Sequence, residues 1–210
     1  MKKQILIGVV GLVTCAATSF GQGFVILDNY NATGGLVTYG PNVPQNGVSG
    51  PLGTLGTGLL SGWTVGLYYV LGTPAISDPP FTTDPVAPLA LATGGPTSGA
   101  TVAVYDSSFS TPGQFASPYN FQVPGGVAGQ LVTLELIVYD TADGSWASAH
   151  YRGHSAPFVL TMQTGTAIPP TAQVGPAFSA FGVEQVPEPA TLALAGLGGL
   201  SLLLMRRKLN

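Results

Sequence analysis

His150-Tyr151-Arg152-Gly153-His154 sets two histidines four residues apart around an arginine. On a helix, imidazoles at that spacing can share a zinc ion, and in zinc proteases a glutamate directly after the first histidine serves as base. No glutamate follows His150, and both Gly153 and the β-type pattern around it argue for strand and loop. The segment is therefore expected to be a turn or strand pair, with Arg152 bound to a carboxylate such as Glu135 or Asp140. No metal ligand set and no cofactor are assigned.

Asp140-Thr141-Ala142-Asp143-Gly144-Ser145 offers two acids beside a turn glycine. Calcium asks for more oxygen ligands than this, with Asp106 a candidate to contribute one from across the fold, and the spacing is not that of an EF-hand loop. Asp-Gly is first of all a turn signal. Ser155 follows His154, but no Gly-x-Ser-x-Gly elbow occurs in the chain. A glycosidase needs two carboxyl groups flanking the scissile bond. The middle of the chain has two glutamates, Glu135 and Glu184, and Glu135 falls inside a strand pattern. No catalytic residue is assigned, and the protein is expected not to be an enzyme.

Aromatic rings can stack on sugars. Trp63 has the surroundings of a core residue, whereas Trp146 lies by the Asp-Gly turn and is the better candidate for a ligand contact, with Asp140 and Asp143 beside it. The glycine clusters sit in irregular sequence rather than between a strand and a helix, so no phosphate-binding loop is assigned.

The elements that would position these residues read as strands. Expected strands are Phe24 to Asp28, Leu36 to Tyr39, Trp63 to Leu71, Thr101 to Tyr105, Leu131 to Tyr139, Pro157 to Met162 and Ala177 to Val183. In Trp63 to Leu71 the odd positions share one apolar face. In Leu131 to Tyr139 the even set Val132, Leu134, Leu136 and Val138 is apolar, and the odd set contains Thr133 and Glu135. A period of two with one mixed face suits a strand of a β-sandwich. Gly40 to Gly62 and Gly72 to Gly99 are long, rich in glycine and proline, and either bind something or pack as ordered coil.

Charge separates the ends from the middle. Five of the six basic residues are Lys2, Lys3, Arg206, Arg207 and Lys208. Between Gln22 and Val186 one basic residue faces eight acids, a formal charge of −7. Such a surface repels phosphate backbones, so no nucleic-acid partner is expected.

Lys2-Lys3, the apolar run Ile5 to Ala17 and the small residues up to Gly21 read as a secretory signal that engages a translocon, with cleavage after Gly21 preferred. Cys15, the single cysteine, lies inside it, so the mature protein would have neither disulfide nor thiolate.

Toward the other end, Pro187 and Pro189 fix φ and deny backbone donors, which makes Val186-Pro187-Glu188-Pro189 an exposed, pre-extended peptide. An α-helix over Ala190 to Met205 would rise about 24 Å, short of a bilayer core of roughly 30 Å. Arg206, Arg207 and Lys208 form a basic stop that should stay cytoplasmic. Motif, apolar run and basic stop, in that order, resemble the PEP-CTERM sorting signal of Gram-negative bacteria. The resemblance implies an exosortase as processing partner, a transient stay in the inner membrane with the body outside the cytoplasm, and a destination at the cell surface or in a polysaccharide-rich extracellular matrix or biofilm. It covers the tail alone.

The expected organisation is thus a signal peptide with its helix at 1–21, a body at 22–185 and a sorting signal at 186–210 with a transmembrane helix at 190–205. The body is expected to be all-β, a single β-sandwich of jelly-roll or immunoglobulin-like kind with long loops. The expected function is that of an exported, non-enzymatic surface or matrix protein associated with exopolysaccharide. A carbohydrate-binding module is the alternative, and a hydrolase with an unrecognised site ranks below it.

Overall fold

The computed structural model describes residues 21–30, 35–47, 49–78, 83–85, 87–93, 99–105, 111–164 and 173–186. The signal peptide, the apolar tail helix and the basic stop lie outside these. Among the described residues the protein is all-β, interrupted by two short 3-10 helices, and no helix is long and apolar enough to cross a membrane.

The two strands with the clearest period of two are partners. Strand β3 (Trp63–Leu71) runs antiparallel to β7 (Leu131–Asp140) without a register break, from Trp63 opposite Asp140 to Leu71 opposite Val132. The pairing sets the odd residues of β3 on the same face as the even residues of β7. Trp63, Val65, Leu67, Val132, Leu134, Leu136 and Val138 are all fully buried on that face. Burying one such aliphatic side chain is worth roughly 1.5–3 kcal/mol, so a one-residue slip that turned this face outward would be prohibitive.

Around this pair an eight-stranded sheet grows in the order β2-β11-β8-β7-β3-β4, with β5 also paired to β3 and β9 to β7. The added strands are β2 (Val37–Tyr39), β4 (Ala90–Leu91), β5 (Thr101–Ala103), β8 (Tyr151–His154), β9 (Phe158–Thr161) and β11 (Phe181–Gln185). The β11–β2 pairing is parallel and the others are antiparallel. A second sheet has the order β10-β1-β6, from β1 (Gln22–Asp28), β6 (Ala116–Val127) and β10 (Gln163–Thr164). Val25 and Leu27 of β1 and Phe121 and Val123 of β6 join the same apolar cluster as the inner face of the large sheet.

Twelve-residue β6 was not among the expected strands. Pro118, Pro124, Gly125 and Gly126 give it the composition of a loop. It is tolerated as a strand because β6 takes a ladder from β1 on one side and is an edge of its sheet, where prolines disrupt no second ladder. The expected Pro157–Met162 strand is divided: β9 belongs to the large sheet, Met162 is fully buried, and β10 pairs in the small one. The expected Thr101–Tyr105 strand stops at Ala103, with Tyr105 at φ 52°. The last strand begins at Phe181 rather than Ala177.

The described residues of 40–47 and 49–62 form ordered coil. Val43 and Leu59 are fully buried, and Pro44 bridges Leu52. The Gln45 carbonyl accepts from the Tyr39 hydroxyl at 2.8 Å and from the Trp63 indole at 3.3 Å. This coil closes the end of the sheet where β2, β11 and β7 finish and β3 and β8 begin.

Candidate functional site

On the other face of β7 the mixed pattern becomes a buried polar cluster. Glu135 lies opposite Tyr68 of β3, and Ile137 lies opposite Gly66 on one side and His154 of β8 on the other. Gly66 makes room for Ile137: a Cβ there would come within 3.1 Å of its side chain. Gly153, between Arg152 and His154, abuts the backbone of Gly182 so closely that a Cβ would meet its carbonyl oxygen. Small residues at these two positions let the strands approach and bring the charged side chains together.

Glu135 and His154 are sealed from solvent, with side chains 0% and 1% exposed. His154 Nδ1 is 2.8 Å from Glu135 Oε1 and 3.0 Å from the Ser155 carbonyl oxygen. The Ser155 carbonyl can only accept, so it is a proton on Nδ1 that would satisfy this contact. The contact to Glu135 is one of proximity rather than alignment, and neither carboxylate oxygen has a well-aligned donor among the described residues. A buried carboxylate in this condition is costly to hold and is unusual in a native fold.

The roof over the pair comes from two loops. The short helix Trp146–Ser148 follows β7 and places Trp146 with 4% exposure, its ring edge-on to His154 at 6.4 Å. The Trp146 indole N–H donates to Asp84 Oδ1 at 2.7 Å. Arg152 lies over the indole, 4.7 Å from the ring centre, donates to the Trp146 carbonyl at 2.8 Å and is 3.4 Å from Asp84 Oδ1. The carboxylate beside Arg152 on this outer side is thus Asp84, from the proline-rich segment after β3. Tyr68 belongs to the same cluster. Burial pushes its phenol up, the Asp84 and Glu135 charges add to this, and Arg152 acts the other way.

Asp140 and Asp143 part company. Asp140 ends β7 on its inner face, fully buried, with Oδ1 accepting from Ala142 N–H at 2.9 Å and Oδ2 without a partner among the described residues. Gly47, at φ +81°, packs against this carboxylate, where a Cβ would collide with it. Burial raises the Asp140 pKa; the Ala142 N–H opposes this, the Asp143 charge adds to it, and His150 opposes. Asp143, partly buried in the loop after β7, holds His150, accepting from its backbone N–H at 2.8 Å and lying 2.9 Å from its ring Nδ1. Desolvation pushes Asp143 up, but the His150 N–H and ring together outweigh it and leave the carboxyl below its usual range. The two aspartates therefore do not converge on one point. No group of three or more His, Cys, Asp or Glu side chains suited to a metal ion occurs among the described residues.

Of the sorting motif, Val186 is described: its N–H donates to the His150 carbonyl at 2.8 Å, one residue beyond β11. Pro187, Glu188, Pro189, Arg206, Arg207 and Lys208 lie outside the described residues. Glu135 announced itself in the sequence by interrupting an apolar strand. Tyr68 and Asp84 gave no such signal, since they reach the cluster only through strand register and a loop.

The geometry defines an all-β body whose last strand leads directly into a proline-spaced tail. Residues 185–208 match the PEP-CTERM protein-sorting motif, as the resemblance of the tail implied. That motif implies an exosortase as processing partner and export to the cell envelope or surface. No curated protein and no solved structure matches the chain.

Proposed function

We propose that this is an exported, non-enzymatic surface or extracellular-matrix protein, held briefly in the inner membrane by its tail helix and then released to an exopolysaccharide-rich matrix or biofilm. The match of residues 185–208 to the sorting motif is the observation that carries this reading. In it, the two sheets are the layers of one β-sandwich, a reading supported by their shared apolar cluster. The non-enzymatic reading draws support from Glu135, whose carboxylate is closed off beneath Trp146 and Arg152 rather than presented in a cleft. The carbohydrate-binding alternative would use Trp146, Asp140 and Asp143, yet Arg152 covers the Trp146 indole and Asp140 is buried.

The test is the intact mass of the protein from envelope and culture medium of its native host. The expected species lies outside the inner membrane and lacks the tail helix. Recovery of a full-length tail in the inner membrane would make the helix a permanent anchor and remove the matrix reading.

A further inference from the structure

The coil that closes one end of the large sheet displays two leucines to solvent. Residues 40–62 contain no charged side chain. Gln45 N–H donates to the Pro51 carbonyl at 2.9 Å and Gly53 N–H to the Val43 carbonyl at 2.8 Å, which holds Leu52 opposite Pro44. Gly53 lies against the Tyr39 ring, where a Cβ would collide with it. The chain then turns: Thr57 N–H donates to the Thr54 carbonyl at 3.0 Å, and Gly56, at φ 78°, takes the place in a type II turn that needs a positive φ. Leu55 is left at the corner. Leu52 and Leu55 are 58% and 69% exposed, more than any other large apolar side chain among the described residues. A single exposed leucine is ordinary, but two within four residues, on an uncharged coil tied down by its backbone, call for a partner.

Their position says which partner. Tyr39 N–H donates to the Thr57 carbonyl and Gly56 N–H to the Tyr39 carbonyl, both at 2.9 Å, so the turn lies beside the end of β2. Across β2, Tyr39 is in register with Val183 of the parallel strand β11. From Val183 the chain runs on to Val186, about 10 Å further in the same direction. The leucine turn and the departing tail thus share one end of the molecule, about two strand spacings or roughly 10 Å apart. The apolar run of the sorting signal begins at Ala190, and residues 186–189 span at most about 14 Å. That run ends at Met205, short of the roughly 20 residues a membrane span needs, so it has no surplus length with which to hold the body off the bilayer. Elsewhere the body is poorly suited to a lipid surface, with one basic residue against eight acids. Two of the acids near this end face basic residues: Asp143 is 2.9 Å from the His150 ring, and Glu184 is opposite Arg152 in register.

We propose that Leu52 and Leu55 rest in the interfacial layer of the bilayer that holds the tail, so that the body meets lipid through this coil for as long as the tail is attached. The proposal rests on the stay in the inner membrane proposed above. The leucines orient a tethered body and do not retain an untethered one. A single myristoyl chain gives only marginal, reversible membrane binding, and two leucine side chains bring fewer carbons than that. Loss of the tail therefore frees the body, as a surface or matrix destination requires.

The experiment reconstitutes the tail-bearing protein in vesicles of phosphatidylethanolamine and phosphatidylglycerol, with and without bromine on the acyl chains near the glycerol. Trp63 and Trp146 are buried, so the wild type supplies the background and Leu55→Trp reports on the turn. Brominated lipid should lower the added emission of Leu55→Trp at least twofold, and that of Leu52→Trp likewise. Leu131→Trp, about 30 Å away at the other end of β7, should be unaffected. If the protein floats with the vesicles while bromine leaves the emission at 52 and 55 unchanged, this inference alone is overturned. Equal quenching at 131 overturns it too, as does a blue shift at 55 that tracks protein concentration rather than lipid, the sign of a second copy on the turn. Protein that does not float with the vesicles overturns the stay in the membrane, and this inference with it.

Discussion

His150 and His154 bracket one four-residue strand, and each faces a carboxylate, yet the two pairs live in different media. His150 is 70% exposed, while its partner Asp143 is 12% exposed in the loop that follows β7. His154 and Glu135 are shut inside, beneath Trp146 and Arg152. Water reaches the first pair through the His150 ring and screens part of its interaction. The second has no water to do this, so a charge on either group has to be met by the other or by the few fixed dipoles around it. Identical chemistry four residues apart thus serves as a loop fastener in one place and as a committed part of the interior in the other.

Breaking the buried pair should have the largest effect. His154→Ala leaves Glu135 buried without its neighbour and should cost about 3–5 kcal/mol, read by urea unfolding at pH 7. Glu135→Leu combined with His154→Leu should recover most of that loss. If the double variant is as unstable as the single one, the pair is not the source of the penalty.

An intermediate effect is expected at the roof. Trp146→Phe keeps an aromatic ring under Arg152 but removes the N–H donated to Asp84, and should cost about 0.5–1.5 kcal/mol. Because Asp84 is largely exposed, a loss well above that range would mean that the indole holds the roof by packing rather than by its hydrogen bond.

The loop pair, with His150 open to water, should matter least to stability. Asp143→Ala should cost about 0.2–1 kcal/mol at low salt and less at high salt. The folded pKa of Asp143 is lowered, so its contribution is present above the unfolded value of about 3.9 and disappears as pH falls through the folded value. Wild type and variant should therefore converge in strong acid. Asp140 has the opposite sign: with its folded pKa raised, its contribution is present below about 3.9 and is lost as pH rises through the folded value. Asp140→Asn should accordingly steepen the acid limb of the stability profile. A flatter limb would contradict that assignment.

Much of this could be read from residue order, and the exceptions have physical causes. The alternation in Trp63 to Leu71 and Leu131 to Tyr139 identified both central strands and their apolar inner faces, because a period of two survives whatever the partner is, but not the burial of Thr133, Glu135 and Ile137 on the other face of β7. Strand β6 escaped notice because proline and glycine report local preference, while an edge position removes the penalty that makes the preference decisive. The sequence singled out Trp146 as a loop aromatic. Its burial under Arg152 came from the return of β8 beside β7, which no local pattern records.

The sequence by itself determined the tail motif, the acidic lysine-free body and the β character of its central strands, since these depend on residue types and on spacings of a few positions. Tertiary structure alone decided which carboxylate meets which cation, that Glu135 and His154 share a sealed site, and that the sorting motif begins where the sheet ends. Those facts depend on strand order and register, which bring residues 84, 135, 146, 152 and 154 together although the chain separates the first and last by seventy positions.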